Sequence, residues 1–190
     1  MTSAAVTVNG VRLDMGVYLP CIGETEDGYE VLLPIRGTDG SYAETVAVLS
    51  RSDAVRGRLP YTMKNFYEQA FRFLGTQYGW GGADGGVDCS GFVCCVMRSF
   101  GIMIPRNTTE QRYYGGVSSD VSAMSGSERA ALFSSSRFPV AIHRQGHVML
   151  YLGESDGLMW IVHAHGIGQP VCVASLDPGS AMLRMVELYR

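Results

Sequence analysis

The pattern of apolar residues changes once along this chain, and that change limits the fold more than any other feature. Three stretches between residues 62 and 133 carry apolar side chains at helical spacing, whereas residues 147–189 are runs of strand formers split by glycine and proline. Helices first and strands after argue for an α+β fold, because a βαβ chain would alternate the two. Thr62 reads as an N-cap. The segment 65–74 reads as an amphipathic helix with Phe66, Ala70, Phe73 and Leu74 on one face and Gly75 as its C-cap glycine. Phe92, Val93, Val96, Met97 and Phe100 mark a second, buried helix that Gly101 ends. Residues 125–133 read as a short surface helix opened by a Ser125/Glu128 capping box. Strands are expected at 147–153, 159–164, 171–174 and 182–189.

The first fifty residues have no helical pattern. Short strands are expected at 7–8, 11–13, 16–21, 29–35 and 44–49, with Asp39-Gly40 as a turn. This predicts a small β-barrel over residues 1–55, joined by a charged connector at 52–60 to a second domain over residues 56–190. The 190 residues are 46% hydrophobic and 17% charged, enough apolar material for a packed core. A net charge of −3 without a basic cluster excludes a nucleic-acid footprint. No apolar run is long enough for a membrane-spanning helix. Residues 1–10 lack the pattern of a signal peptide, and the opening reads as starting inside a domain. The five cysteines, Cys21, Cys89, Cys94, Cys95 and Cys172, form no paired spacing. That argues against a disulfide framework or a structural zinc site.

The chemistry centres on Cys89. A glycine-rich loop at 78–86 leads into Asp88-Cys89-Ser90-Gly91, so Cys89 falls at the start of the second helix. Free N–H groups and the helix dipole there favour a thiolate and leave donors for an oxyanion. The competing reading is one more buried thiol, the role given to Cys94 and Cys95. A thiol nucleophile needs a base, and His147 opens a strand directly after Gly146. His163 lies on the next strand, where it can orient His147 through the far ring nitrogen. His165 is two residues on and would face the same side, so spacing alone leaves His163 and His165 both open. A metal site built from Cys89, His147, His163 and His165 is a weaker alternative. Asp88 reads equally as the N-cap of the Cys89 helix, Thr108 and Thr109 as N-caps of a helix running to residue 113, and Arg106 as an ion-pair partner.

Five strings occur in order: YGWGG (78–82), DCSGFV (88–93), PRNTTEQ (105–111), GHVMLYLG (146–153) and VHA (162–164). From about residue 59 onward they resemble the NlpC-type family of bacterial cell-wall cysteine peptidases. The region before them resembles, more loosely, members with a bacterial SH3-like barrel ahead of the catalytic domain. The resemblance implies a papain-like fold, with helices packed on an antiparallel sheet. It implies Cys89 as nucleophile, His147 as general base and His163 as the polar orienting residue. Asp88 and Ser90 would help hold a substrate's free amine, Thr108 would line the pocket, and Tyr78 would stand near the oxyanion. The implied partners are peptidoglycan stem peptides or muropeptides, cut between D-γ-glutamate and a diamino acid, in some members only behind a free N-terminal L-alanine. The implied protein is a monomer that uses no cofactor or metal. Its substrate favours the cell envelope or secretion, with cytosolic peptide recycling as the alternative. The interval between His147 and His163 is long for the family, and residues 154–157 read as an extra turn within it. An amidase or acyl-transferase on the same residues, or a wall-binding module without catalysis, are the other functions such a chain would fit.

Overall fold

The computed structural model describes residues 1–114, 116–180 and 184–188. They group into two compact units: residues 1–61 with 95–102, and residues 62–94 with 103–190.

The first unit is built from β1 (Val6–Val8), β2 (Val11–Leu13), β3 (Cys21–Glu24), β4 (Gly28–Arg36) and β5 (Tyr42–Ser50). β1 and β2 form a two-stranded antiparallel ribbon, and β3, β4 and β5 a three-stranded antiparallel sheet in that order. Leu13, Val31, Leu33, Ala47, Leu49 and Ala54 make its core. The Asp39-Gly40 turn joins β4 to β5, with Gly40 at φ +85°. The strand expected at 16–21 is mostly irregular, and regular pairing starts only at Cys21. At its start the backbone is bonded to Thr2 instead. The Thr2 N–H donates to the Val17 carbonyl at 2.9 Å, and the Val17 N–H donates to Thr2 Oγ1 at 2.9 Å. Glu24 accepts from Arg56 at 3.1 Å and Arg51 at 3.5 Å.

The second unit holds α1 (Met63–Phe71), the first residues of α2 (Cys89–Arg98), α3 (Thr108–Gln111), β6 (Ser118–Asp120), α4 (Gly126–Ser135), β7 (Val140–Arg144), β8 (His147–Ser155), β9 (Leu158–Ala164), β10 (Val171–Leu176) and β11 (Arg184–Glu187). Helices therefore precede most of an antiparallel six-stranded sheet of order β10-β9-β8-β7-β11-β6, as the change of periodicity predicts. Phe133 of α4 packs with Val140, Ile142, Met149, Tyr151, Met159, Ile161 and Met185 in one core cluster. The alternate sheet residues Ala141, Val148, Leu150, Val162 and Ala164 are also fully buried, so both faces of the sheet are covered. Phe73 meets Phe92 of α2 edge-on at 5.3 Å.

Several expectations change in detail. α1 starts at Met63, where Thr62 Oγ1 accepts from the Asn65 N–H at 3.2 Å. It ends at Phe71, and tight turns bonded three residues back carry the chain on to Gly75. Leu74 consequently leaves the apolar face and is exposed. Thr108 and Thr109 lie inside the single turn of α3, and Asn107 takes the capping position. The capping box of α4 is present, with Ser125 Oγ and the Glu128 carboxylate serving each other's backbone. β6 and β7 have no counterpart among the expected strands. β6 has only three residues, and β7 is buried at four successive positions and so lacks the alternation that marks a half-buried strand. The long interval from His147 to His163 is a pair of extended strands closed by Asp156-Gly157, both at positive φ. Of the closing strand expected at 182–189, residues 184–187 form β11, while 182, 183 and 189 lie outside the described residues.

Candidate active site

Asp88 organises the start of α2. Its Oδ1 accepts the Gly91 N–H at 2.7 Å, which caps the helix, and its Oδ2 accepts the Gly81 N–H at 2.9 Å. Arg106 closes on both carboxylate oxygens, at 2.9 Å to Oδ1 and 2.5 Å to Oδ2, and donates to Ser90 Oγ at 2.8 Å. Burial pushes the Asp88 carboxyl up, but Arg106 and the two backbone donors outweigh it and hold the group below the usual carboxylate range. The reading of Asp88 as N-cap and of Arg106 as its ion-pair partner thus describes one arrangement.

The loop before Asp88 needs glycine for close approach. A Cβ on Gly86 would lie 2.6 Å from the Gln77 carbonyl oxygen and 2.7 Å from the Gly79 nitrogen. One on Gly79 would lie 2.2 Å from the Ala83 carbonyl oxygen. The loop therefore pinches shut at a neck of two glycines, and this brings Gly81 round to Asp88.

Cys89 is the first residue of α2 and is 5% exposed. Its Sγ lies 4.0 Å from the Gly146 carbonyl oxygen, and the Val148 N–H points at it. The sulfur therefore rests on the two residues that flank His147 in sequence. Burial pushes the thiol up, the Val148 N–H pulls it down, and the Asp88 carboxylate adds to the rise. The N–H groups of Cys89 and Ser90 also face the sulfur and favour its anion. Tyr78 is close enough for Cys89 and Asp88 to reinforce the rise that burial imposes on its phenol.

His147, the first residue of β8, is bonded through Nε2 to Nδ1 of His163 at 2.9 Å. That leaves Nδ1 of His147 for the thiol side. Burial, followed by the neighbouring His163 and Arg144, lowers His147 to about 3; burial and His165 lower His163 to about 4. Both rings are therefore neutral near pH 7. His163 and His165 stack at 4.9 Å between ring centroids. They share one side of the chain as expected, and the ring bonded to His147 is His163.

The remaining candidates divide. Ser90 is buried beside Cys89 and tied to Arg106. Thr108 sits in the first turn of α3 and, among the described residues, makes no side-chain hydrogen bond to Cys89, His147 or His163. Two residues had no role in the sequence reading. Gln111 is buried, and its Nε2 donates to the Ser90 carbonyl at 3.1 Å, the Pro105 carbonyl at 2.8 Å and Cys94 Sγ at 3.3 Å. It pins the loop that carries Arg106 to the helix that carries Cys89. His143 on β7 is 2% exposed, and neither ring nitrogen has a hydrogen-bond partner among the described residues. The only signal for Gln111 was its place at the end of the PRNTTEQ string; His143 gave none.

Comparison with known proteins bears on this geometry. A gamma-D-glutamyl-L-lysine dipeptidyl-peptidase of Bacillus cereus (strain ATCC 10987 / NRS 248) is 28% identical over 145 residues, which cover 73% of this chain and 39% of that protein. A probable endopeptidase of Mycobacterium tuberculosis (strain ATCC 25618 / H37Rv) is 32% identical over 111 residues, covering 58% of this chain and 25% of that one. The chain thus spans roughly a quarter to two fifths of the length of these relatives. Among solved structures, an NlpC/P60 endopeptidase from Photobacterium damselae subsp. piscicida superposes with a TM-score of 0.75 at 18% identity, over 97% of this chain and 52% of that one. An NlpC/P60 family protein from Bacillus cereus ATCC 10987 gives 0.64 at 25% identity, over 96% and 59% of the two chains. The catalytic-type fold is therefore the papain-like one, with helices packed on an antiparallel sheet. The profile of the NlpC/P60 family matches residues 75–187, a span that runs from the glycine loop to the last described strand, and the chain belongs to that family.

Proposed function

We propose that this chain is a cysteine peptidase that hydrolyses peptidoglycan stem peptides at the bond between D-γ-glutamate and a diamino acid. The observation that carries the reading is the thiol at the start of α2, resting on the residues that flank His147, with His147 in turn bonded to His163. A relative named for γ-D-glutamyl-L-lysine dipeptides supports the choice of bond.

In the resting site both partners are neutral. As Cys89 Sγ attacks the γ-carbonyl carbon, its proton passes to Nδ1 of His147, and His163 accepts from Nε2–H of the resulting imidazolium. The tetrahedral oxyanion takes hydrogen bonds from the N–H groups at the start of α2. Collapse expels the amine of the diamino acid, which receives the proton from His147. Water then attacks the thioester with His147 as base, and the carboxylic acid leaves as the thiol is restored. Asp88 and Ser90 are the groups for the substrate's free amine, Tyr78 for the oxyanion side and Thr108 for the pocket wall. Residues 1–55 are read as an SH3-like domain.

Incubation with L-Ala-D-γ-Glu-diaminopimelate and its lysine analogue tests the reading. The expected products are L-Ala-D-Glu and the free diamino acid, with mass spectrometry showing the addition of one water. Undiminished cleavage by Cys89→Ala, or none by the unaltered protein, overturns it. An acyl-transferase would instead form a transfer product without the added water.

A further inference from the structure

A third group of donors adjoins the His147–His163 pair. Cys172 of β10 is the direct cross-strand partner of His163 on β9, and His165 follows two residues on with its ring stacked on that of His163. One ligand atom from each of His163, His165 and Cys172 lies within 4.8 Å of the other two. A tetrahedral Zn²⁺ holds imidazole nitrogens at about 2.0–2.1 Å and thiolate sulfur at about 2.3 Å, so its ligands stand roughly 3.5 Å apart. Small side-chain rotations close the difference. β10 is an edge strand, His165 is exposed and Cys172 is partly exposed, so an ion can reach the group from solvent.

We propose that His163, His165 and Cys172 form a binding site for a divalent transition metal of the Zn²⁺ class, and that the bound metal switches the base off by fixing its tautomer. Nδ1 of His163 is engaged by His147, so the nitrogen His163 offers a metal is Nε2. The Cys172 thiol releases its proton to solvent on binding, and water completes the fourth position. A neutral imidazole carries one ring proton. Without metal, His163 keeps that proton on Nε2 and accepts at Nδ1; His147 then donates from Nε2 and leaves Nδ1 open to take the thiol proton. With metal on Nε2, the proton of His163 moves to Nδ1, which must now donate. His147 Nε2 becomes the acceptor, and its own proton moves to Nδ1, the one atom that has to be free for Cys89. The metal thereby disables the base without touching it.

The switching half rests on the function proposed above; the binding half does not, and the two are read separately. Binding is followed by titrating Cd²⁺ into Cys89→Ala protein and recording the thiolate-to-metal absorption in the ultraviolet. A band that saturates near one equivalent, and is lost in Cys89→Ala/Cys172→Ser, is expected. A band unchanged by Cys172→Ser overturns the site, as does the absence of any band. Switching is followed by Zn²⁺ inhibition of muropeptide hydrolysis. Cys172→Ser is expected to keep the basal rate and to raise the Zn²⁺ needed for half-inhibition about tenfold or more. Equal inhibition of both proteins overturns the switch and assigns inhibition to Cys89 itself. A protein with no hydrolysis to inhibit would fail the proposed function and the switch with it, while the Cd²⁺ titration still decides the site.

Discussion

His147 Nε2 and His163 Nδ1 lie 2.9 Å apart, and this bond settles which ring nitrogen of His147 faces its neighbour on the sheet. His163→Ala is expected to lower kcat for muropeptide cleavage by about 100-fold or more, within the usual range for general-base machinery. His165→Ala removes only a stacked ring and should cost less than about tenfold. Steady-state kinetics on the two variants checks the order, and a reversed order would move the supporting role to His165.

The pH dependence of activity follows from two neutral rings. A lowered pKa keeps the base unprotonated to lower pH, and the values are about 3 for His147 and about 4 for His163. The kcat/KM of the unaltered protein should therefore hold from pH 7 down to about pH 5 and fall only below that. An acid limb near the ordinary histidine value of about 6.5 would contradict the burial seen here.

Stability falls in the same direction, but starts to fall at higher pH than activity does. His143 is held at about 4, chiefly by burial and then by Arg112. The unfolded chain takes up that proton near pH 6.5, whereas the fold refuses it until about pH 4. The stability present above pH 6.5 is lost as pH falls through that window. The loss for His143 alone is about 3 kcal/mol. His143→Leu should flatten the fall in denaturation midpoint between pH 7 and pH 5. Parallel curves for the two proteins would count against it.

Asp88 combines two jobs that substitution separates. Asparagine caps helices about as well as aspartate, while alanine costs about 1 kcal/mol. Asp88→Asn should therefore keep the cap on Gly91 but lose the Arg106 ion pair and the acceptor for Gly81, lowering the melting temperature less than Asp88→Ala does and raising KM for peptides with a free amine. Asp88→Ala should lose both. If Asp88→Asn leaves KM untouched, the residue is a cap alone.

The glycine neck gives a contrast within one loop. Gly86→Ala forces a methyl against backbone at 2.6 Å and is expected to destabilise by about 2 kcal/mol or more and to lower activity. Gly81→Ala meets open space at φ +66° and should cost only about 1 kcal/mol. Thermal melts of both check the order.

Much of this was legible in the sequence where one local cause decides one outcome. Thr62 and Ser125 cap their helices because a short oxygen side chain before an apolar run has little else to do. Cys89 starts a helix because Asp88 can cap it. The pairing of His147 with His163 was legible as neighbouring strands, but the choice over His165 was not, since both share a side and only the detailed packing separates them. β7 stayed hidden because burial on both faces erases its alternation. Gln111 and His143 act through tertiary contacts alone, and a lone glutamine or histidine carries no local mark of that. The irregular run after Gly16 looked like a strand because its residues favour one; Thr2, far back in sequence, claims the backbone at its start instead.

The thiol and the chain it rests on are 57 residues apart in sequence, and the base is not oriented until His163 has joined its strand. Asp88, Gly91 and Arg106 can assemble early, because they lie within 18 residues of one another. The hairpin of β8 and β9 is equally local. Neither piece can cleave anything by itself. The proposed activity thus depends on closing a long stretch of chain: until the β8–β9 hairpin is seated, Cys89 has no base beside it and is an ordinary thiol.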